Sequence, residues 1–324
     1  MAKYYFFSRG FAKRRPELNH IGWRIEAWAI GALIGVFRML PLERATRLAH
    51  RLFTVGARSA KQRQRVMRNL YVAFPDASAA ELDGIARDIF GNVGVALAEI
   101  AQLGAIWRER DRRLEFVVPP DLRVLHEKGR PAVFVTGHIG PWTLTNFLAA
   151  QYDFPLSIVY AAESNPYVHD MMLRLRSELP ARLLARDNSM RTLIKELSGG
   201  AAIGLGSDVR LDGGEMIPFF GKDMSTNTVP ARLALRFDCE LIPARAERLP
   251  GGRFRITAYP AVLPDDPSAS AVEQAQNMTA KLNVLFEQWI RETPREWLCL
   301  ARRWPKDVER AAETAHASRV AQLK

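Results

Sequence analysis

The sequence predicts an α/β fold with a mixed, mainly parallel sheet flanked by helices. Over residues 119–305, short apolar runs rich in β-branched residues alternate with helical stretches, the pattern of strands joined by crossover helices. Hydrophobic residues make up 48% and charged residues 25% of the 324-residue chain, which excludes a disordered or collagen-like protein. We divide the chain into an amino-terminal arm (1–45), a main domain (46–305) that is helical over 46–118, and a polar carboxy-terminal tail (306–324).

The helical region before the sheet contains a clear start signal. Ser78 and Glu81 have the spacing of a capping box, in which each side chain satisfies a backbone N–H at the helix start. Apolar residues at three- and four-residue spacing then predict a helix over Ala79–Leu103. The basic run Arg58–Arg68 predicts another helix, whose charges are either solvated or meet phosphate groups.

The predicted sheet region consists of alternating strands and helices. The strands are expected at Ala132–Thr136, Leu156–Ala161, Ala201–Gly206, Leu241–Arg248 and Phe254–Tyr259. The helices are expected at Leu144–Tyr152, Val168–Leu179, Ser189–Leu197, Thr228–Phe237 and Val272–Glu292. The tail after residue 305 is expected to be a polar helix that frays.

Positive charge is concentrated at the amino terminus. The first 70 residues contain fifteen Lys or Arg and three Glu, a local charge of +12, whereas the whole chain carries +11. A basic segment on a near-neutral body indicates an anionic partner. Nucleic acid is disfavoured because no helix-turn-helix, zinc-finger or RNA-recognition pattern presents the charge.

The arm is apolar as well as basic. Its stretch Ile21–Leu40 is interrupted by Arg24, Glu26 and Arg38, which leaves eleven consecutive uncharged residues. That run is short of the ~20 residues that a membrane-spanning helix needs. We therefore expect a helix lying in the interface of an anionic membrane, with its aromatic residues at headgroup depth. The alternative is a buried core helix followed by a solvated basic one.

Several enzyme classes lack their motifs in this sequence. There is no Walker A, dinucleotide-binding or G-x-S-x-G motif, which disfavours P-loop NTPases and serine hydrolases. No histidine pair has metal-ligand spacing, so no metal is expected. The two cysteines, Cys239 and Cys299, cannot build a disulfide framework and indicate a reducing compartment.

One histidine follows directly from a predicted strand. His138 comes two residues after Ala132–Thr136, and ligands in open α/β sheets bind beyond the carboxyl ends of strands. Gly137 permits close approach of the backbone at that point. An imidazole titrates near neutral pH and is suited to act as a general base. A structural, hydrogen-bonded histidine is the alternative.

Four blocks of sequence carry a family resemblance. They are Thr136–Trp142 (TGHIGPW); Asn69-Leu70 with Ala73–Pro75; Asp208–Arg210 with Ile217–Gly221 (IPFFG); and Pro294–Trp297 with Arg302–Trp304. Together and in this arrangement they resemble the lipid A late acyltransferases, the lauroyl/myristoyl transferase family of Gram-negative bacteria.

The resemblance implies a fold like that of the glycerolipid acyltransferases and an enzyme on the cytoplasmic face of the inner membrane. It implies transfer of an acyl chain from acyl carrier protein to a hydroxyl of a lipid A precursor, without a metal or organic cofactor. His138 would take the proton of that hydroxyl. Another glycolipid or phospholipid acceptor, or a basic soluble binding module, remains an alternative.

The sequence departs from the family pattern at the carboxylate that pairs with the histidine. Five residues after His138 stands Thr143 instead of Asp or Glu, and Pro141 replaces the usual Asn. A threonine hydroxyl can accept a hydrogen bond from an imidazole but cannot stabilise an imidazolium by charge. Asp208 is the best candidate for a replacement carboxylate. If no other carboxylate replaces the missing acid, there are two alternatives. Either the enzyme works slowly with His138 as its only catalytic group, or the chain has lost catalysis and only binds lipid.

The remaining candidates would bind substrate. The resemblance implies that an arginine near Arg174 and Arg176 contacts a substrate phosphate or the developing oxyanion, which suits the fixed fork of guanidinium donors; a surface charge is the alternative. Asp208 and Arg210 are expected to pair with each other, either organising the site or as a structural ion pair. The aromatic turn is expected to line the acyl groove or to fill the core; it comprises Phe219, Phe220 and Gly221.

Overall fold

A computed structural model describes residues 16–56, 60–120, 122, 130–187 and 189–322. Within these ranges the α-helices are α1 (Pro16–Met39), α2 (Leu42–Gly56), α3 (Ala60–Ala73), α4 (Ala79–Ala101), α5 (Leu103–Arg108), α6 (Arg110–Arg113), α7 (Phe147–Gln151), α8 (Pro166–Arg176), α9 (Ser189–Ser198), α10 (Val229–Arg236), α11 (Ala271–Glu292) and α12 (Lys306–Gln322). The strands are β1 (Leu114–Val117), β2 (Ala132–Thr136), β3 (Leu156–Tyr160), β4 (Arg182–Ala185), β5 (Ala202–Gly206), β6 (Arg210–Phe219), β7 (Lys222–Thr226), β8 (Glu240–Leu249) and β9 (Arg253–Ala258). Single 3₁₀ turns occupy Trp142–Asn146 and Pro294–Glu296.

Seven strands form one sheet in the order β1–β9–β8–β2–β5–β3–β4. Every neighbouring pair is parallel except β8 and β9, which are antiparallel. The predicted mixed, mainly parallel sheet is therefore confirmed, and each of the five predicted strands is present to within one residue at its ends. The two edge strands, β1 and β4, were not predicted, because four residues are too few to show a period.

The central strand β2 shows why the sheet needs helices on both faces. Val133 and Val135 pack into one apolar cluster, whereas Ala132 and Phe134 point the other way into a second cluster. Successive side chains of a strand alternate between faces, so a strand that is apolar throughout must be covered twice. The first cluster contains side chains of α3, α10 and α11, and the second contains side chains of α1, α2 and α8.

The long helix α4 begins as the sequence predicts. The Ser78 hydroxyl accepts a hydrogen bond from the Glu81 N–H, and the Glu81 carboxylate accepts one from the Ser78 N–H. This capping box satisfies two backbone donors that would otherwise be unpaired at the helix end. The same device, built from Ser270 and Glu273, begins α11.

The strands β6 and β7 form a separate hairpin that the sequence analysis did not predict. Phe219 pairs with Lys222, so the turn consists of Phe220 and Gly221 alone, with φ values of 51° and 67°. Two-residue hairpin turns favour positive φ at both positions, which Asn-Gly satisfies easily and a phenylalanine rarely does. Here the Phe220 N–H donates to the Glu287 carboxylate at 2.6 Å, which helps to hold the unusual conformation.

The described part of the predicted arm consists of the helix α1, which packs on α8 and α4, and the start of α2. Asn165, the N-cap of α8, donates to the Trp23 carbonyl and to the Glu26 carboxylate, each at 2.9 Å. The first fifteen residues of the arm lie outside the described ranges, and the expected boundary at residue 45 falls within α2. Among the helices that the structure describes, none combines the length and the apolar composition that crossing a bilayer requires.

The tail is helical as expected, but it packs against α3 rather than fraying along its length. The ring of His316 lies 4.6 Å from that of Tyr71, centroid to centroid, and is buried. Arg68 of α3 donates to Glu313 at 3.0 Å, and Arg319 bonds to Asp76 at 2.8 Å. The polar composition of α12 thus reflects ion pairs with its neighbours as well as contact with solvent.

Candidate active site

Two neighbouring parallel strands bring His138 and Asp208 together. In the ladder between β2 and β5, Thr136 is paired with Gly206, and each candidate residue comes two positions after the end of its own strand. The Ser207 N–H still donates to the Thr136 carbonyl at 2.9 Å, so the pairing continues past the strand ends. The two side chains therefore leave the sheet side by side, at the edge where open α/β folds bind ligands.

The imidazole of His138 is oriented by the Asp208 carboxylate. Nδ1 of the imidazole lies 2.7 Å from Oδ1 of the carboxylate. An ionised carboxylate can only accept hydrogen bonds, so Nδ1 carries the proton and Nε2 of the neutral ring keeps a free lone pair. About a third of the His138 side chain (35%) is exposed, whereas Asp208 is 4% exposed. This arrangement is chemically suited to proton transfer by the imidazole, with the carboxylate holding its orientation.

The charges of the pair shift both pKa values. Burial lowers the pKa of His138, but the charge and the hydrogen bond of Asp208 outweigh burial and raise it above the ordinary value of 6.5. Burial raises the pKa of Asp208, but the charge and hydrogen bond of His138, helped by Arg303, outweigh it and hold this pKa below its ordinary value. The carboxylate is thus ionised at neutral pH.

Gly206 provides the space that the imidazole occupies. A Cβ atom at this position would lie 3.1 Å from Cε1 of His138, which is closer than ordinary van der Waals contact. A side chain on residue 206 would therefore push the ring away from its carboxylate.

His138 lines a mainly apolar cavity of about 240 Å³. Its other polar walls include Thr143, Asn146 and Arg176, and its apolar walls include Phe134, Leu148, Leu156, Ile158, Leu179 and Leu205. We call it the apolar cavity. Its size and lining suit a hydrocarbon chain, since burying methylene groups contributes about 0.8 kcal/mol for each group.

A second cavity of about 210 Å³ lies on another side of the pair. Its walls include His138 and Asp208 together with the segment 297–303 and three arginines, Arg210, Arg302 and Arg303. We call it the basic cavity. His138 is the one residue that lines both cavities within the part of the chain that the structure describes.

The segment after α11 closes the site by binding directly to the His138 loop. Ile139 and Trp297 form an antiparallel bridge, and the Leu298 N–H donates to the His138 carbonyl at 2.9 Å. The side-chain amide of Asn69, on α3, also binds this segment and donates to the carbonyls of Cys299 and Ala301, both at 2.8 Å. The wall of the basic cavity is therefore fixed by backbone contacts on two sides.

The structure separates the two arginines predicted in α8. Arg176 lines the apolar cavity, and its guanidinium bonds to Glu163 at 2.8 Å while Nη1 is buried with no hydrogen-bond partner among the described residues. Arg174 is exposed on the same helix and does not line the cavity. Of these two arginines, Arg176 is therefore the one positioned to meet a group bound in the apolar cavity.

Two other expectations need correction. The expected ion pair between Asp208 and Arg210 does not form: Asp208 bonds to His138, and Arg210 bonds to Asp212 at 2.9 Å. Thr143 lines the apolar cavity but is not the partner of the imidazole, whose Nδ1 points to Asp208. The carboxylate thus comes from the neighbouring strand and not from the turn after His138.

The aromatic turn lies in the core and not on the wall of the apolar cavity. Phe219 is fully buried and stacks on Trp304 at 5.6 Å between centroids, and Phe220 stacks on Trp297 at 6.2 Å. Gly221 supplies the second left-handed position of the hairpin turn. Positive φ and mutual aromatic packing explain this stretch, and neither requires contact with an acyl chain.

Three residues of the site were missed in the sequence. Glu163 follows β3 and holds both Arg176 and His169. Asn69 and Arg303 lie in blocks that carry the family resemblance, yet nothing in their local spacing indicates that Asn69 holds the wall of the basic cavity or that Arg303 lines it. Asp208 was named as a candidate, but its contact with His138 depends on β2 and β5 being neighbours in the sheet. Among the described residues, no group of three or more His, Cys, Asp or Glu side chains is arranged to hold a metal ion.

Comparison with known proteins identifies the family of the chain. The family model described as bacterial lipid A biosynthesis acyltransferase matches residues 11–306. A lipid A biosynthesis acyltransferase of Haemophilus influenzae is 21% identical over 310 residues, which cover 90% of this chain and 93% of that protein. A lipid A biosynthesis myristoyltransferase of Escherichia coli is 22% identical over 176 residues, 54% of each chain. Because the family model spans nearly the whole sequence, the chain belongs to the bacterial lipid A biosynthesis acyltransferases and is an acyltransferase.

Proposed function

We propose that this enzyme transfers a fatty acyl chain from an acyl carrier protein thioester to a hydroxyl of a lipid A precursor, with His138 as the general base. The observation that carries the proposal is an imidazole, oriented by a buried carboxylate, on the wall of a cavity suited to an acyl chain. The carrier-protein donor and the lipid A precursor are what membership of the family leads us to expect.

In the proposed reaction, Nε2 of His138 takes the proton of the acceptor hydroxyl as its oxygen attacks the thioester carbonyl. The tetrahedral intermediate then collapses, the carbon–sulfur bond breaks, and the imidazolium returns its proton to the departing thiolate. Asp208 keeps the proton on Nδ1 and stabilises the imidazolium, a function for which charge is required. Arg176 is suited to stabilise the oxyanion, because one of its nitrogens lacks a hydrogen-bond partner among the described residues and it lines the same cavity.

We further propose that the enzyme acts at the cytoplasmic face of the inner membrane and that α1 contacts the lipid. One face of this helix exposes large apolar residues at helical spacing: Ile21, Ile25, Trp28, Val36 and Met39, of which Trp28 is 77% and Met39 86% exposed. Isolated exposed apolar residues are common, but a continuous stripe next to basic residues is typical of an interfacial helix. Because α1 packs on α8, the stripe lies on an element adjacent to the one that carries Arg176.

The first prediction concerns His138. In an assay with purified protein, acyl carrier protein loaded with a fatty acid, and a tetra-acylated phosphorylated disaccharide lipid, His138→Ala is expected to lower turnover by about 100- to 10,000-fold, the usual contribution of a general base. His50→Ala is the matched control, because His50 is also 35% exposed and lies 3.7 Å from a carboxylate, that of Asp88, but lines neither cavity. Equal turnover of wild type and His138→Ala would contradict the mechanism.

In the same assay, Thr143→Glu distinguishes an enzyme that uses Asp208 from one that lacks its acid. We expect no gain in turnover, because the imidazole already has a carboxylate partner and the new charge would lie in a mainly apolar cavity. If wild type transfers no acyl chain and Thr143→Glu does, then Asp208 does not replace the family's acid.

The second prediction concerns pH. Because a base must be deprotonated, kcat/KM is expected to rise with pH through a pKa above 6.5, the direction that the Asp208 charge gives to His138. In Asp208→Asn that charge is lost and burial dominates, so the rise should move to lower pH while the maximal rate falls by about 10⁴-fold. A profile of kcat/KM against pH for both proteins measures this. An unchanged midpoint in Asp208→Asn would contradict the coupling.

The third prediction concerns the membrane. Ile25→Glu/Trp28→Glu is expected to weaken binding to anionic phospholipid vesicles by about 100-fold or more, since burying each of these side chains contributes about 1.5–3 kcal/mol. Cosedimentation with vesicles measures the effect. Val272→Glu/Val284→Glu, which replaces two exposed apolar residues of α11, is the matched control and should bind like wild type. If both double variants lost vesicle binding to a similar extent, the cause would be a general effect of the added negative charge and not a membrane-binding face on α1.

A further inference from the structure

The basic cavity contains a buried cation that lacks hydrogen-bond acceptors. Arg303 is 3% exposed, and none of its three guanidinium nitrogens has a hydrogen-bond partner among the described residues. The ring of Phe219 lies 4.6 Å from the guanidinium carbon, which is a favourable cation–π contact but leaves the N–H donors unsatisfied. Buried donors of a charged group are normally satisfied, so these donors are suited to an anionic ligand.

Arg303 is charged at neutral pH despite its burial. Burial lowers the pKa of its guanidinium to about 10, and the nearby charge of Asp208 acts in the opposite direction. A cation is therefore held next to the catalytic pair, and it carries the hydrogen-bonding capacity of a planar fork.

Arg210 adds a further unpartnered donor to the same cavity. Its Nε is buried and has no hydrogen-bond partner among the described residues, and its guanidinium bonds only at its outer end to Asp212, which is almost fully exposed. An ion pair of this kind is weak and easily exchanged. Arg302, in contrast, is bonded to the buried Glu309 at 3.0 Å. Among the described residues that line this cavity, the buried side-chain donors without a hydrogen-bond partner are thus those of Arg303 and Arg210.

We propose that the basic cavity binds a phosphate group of the acceptor lipid, with Arg303 and Arg210 as its ligands. Two guanidinium forks match the oxygens of a phosphate, and charge-assisted hydrogen bonds of this kind are the strong ones. This inference rests on the proposed function, because it assigns the apolar cavity to the acyl chain and the basic cavity to the acceptor. His138, which lines both cavities, then lies where the acceptor hydroxyl meets the thioester.

A binding measurement that needs no activity tests the site first. Glucosamine 1-phosphate is expected to raise the melting temperature of wild type, whereas glucosamine alone is not. Arg303→Met should lose this shift and yet melt no lower than wild type without ligand, because it removes an unsatisfied buried charge. Arg87→Met, which removes the same charge from an exposed pair with Asp83, should keep the shift. Equal shifts in wild type and Arg303→Met, or none in wild type, would overturn the proposal.

Kinetics then identify the source of the phosphate. With the phosphorylated acceptor, Arg303→Met is expected to raise KM for the acceptor by about 10- to 100-fold and to change kcat little, as loss of a charge-assisted hydrogen bond predicts. With the dephosphorylated acceptor, wild type and Arg303→Met should have the same KM. Arg303→Lys keeps the charge but lacks the planar fork of donors, so its KM for the phosphorylated acceptor should lie between those of wild type and Arg303→Met.

Two outcomes of the kinetic test would overturn the assignment. In the first, the effect of Arg303→Met on KM disappears when the donor is an acyl thioester without a phosphate. That result would mean that Arg303 binds the carrier arm of the donor. An equal fall in kcat with both acceptors would mean that Arg303 acts on the reacting atoms or on Asp208. If wild type transfers no acyl chain at all, the proposed function fails, and the glucosamine 1-phosphate measurement alone decides whether the phosphate site exists.

Discussion

The hydrogen bond between Nδ1 of His138 and Oδ1 of Asp208 is the interaction on which the site depends. It exists because β2 and β5 are neighbours in a parallel sheet and because both residues follow paired strand ends at the same distance. The bond fixes the tautomer of the imidazole, keeps the buried carboxylate ionised and leaves Nε2 as the basic atom. The substitution at Thr143 therefore does not leave the imidazole without an acid, because the carboxylate comes from the next strand.

The blocks of sequence that resemble the family converge on this pair from distant parts of the chain. Asn69 donates to two carbonyls of the segment after α11, and that segment in turn bonds to the backbone of the His138 loop. The Trp304 indole donates to the Phe219 carbonyl at 3.2 Å, which ties the hairpin to the same segment. Each of these contacts satisfies a buried polar group, so removing one would leave a donor or acceptor without its partner.

Much of this fold follows from local sequence patterns. The five strands with buried apolar runs, the capping box of α4 and the position of His138 after β2 all depend on short-range periodicity and are present as predicted. The hairpin β6–β7 could not be predicted in this way, because its turn is Phe220-Gly221 and its left-handed phenylalanine is held by contacts with Glu287 and Trp297 from far along the chain.

The site was predictable only in part, for a related reason. Asp208 could be named as a candidate, but its contact with His138 depends on strand order, which no local pattern encodes. The expected pairing of Asp208 with Arg210 was wrong because Asp208 lies in the bend between β5 and β6, where its carboxylate bonds to His138 at the end of β2 while Arg210 bonds to Asp212. Arg303 is recognisable only once its burial and its unsatisfied donors are seen.

The ring nitrogens of His138 provide the most direct test of this account. ¹⁵N NMR of histidine-labelled protein, with the His138→Ala spectrum used to assign the signals, reports which nitrogen carries the proton and at what pH the ring titrates. We expect the neutral ring to be protonated at Nδ1 and to titrate above pH 6.5. A neutral ring protonated at Nε2, or a titration below that value, would contradict the central claim.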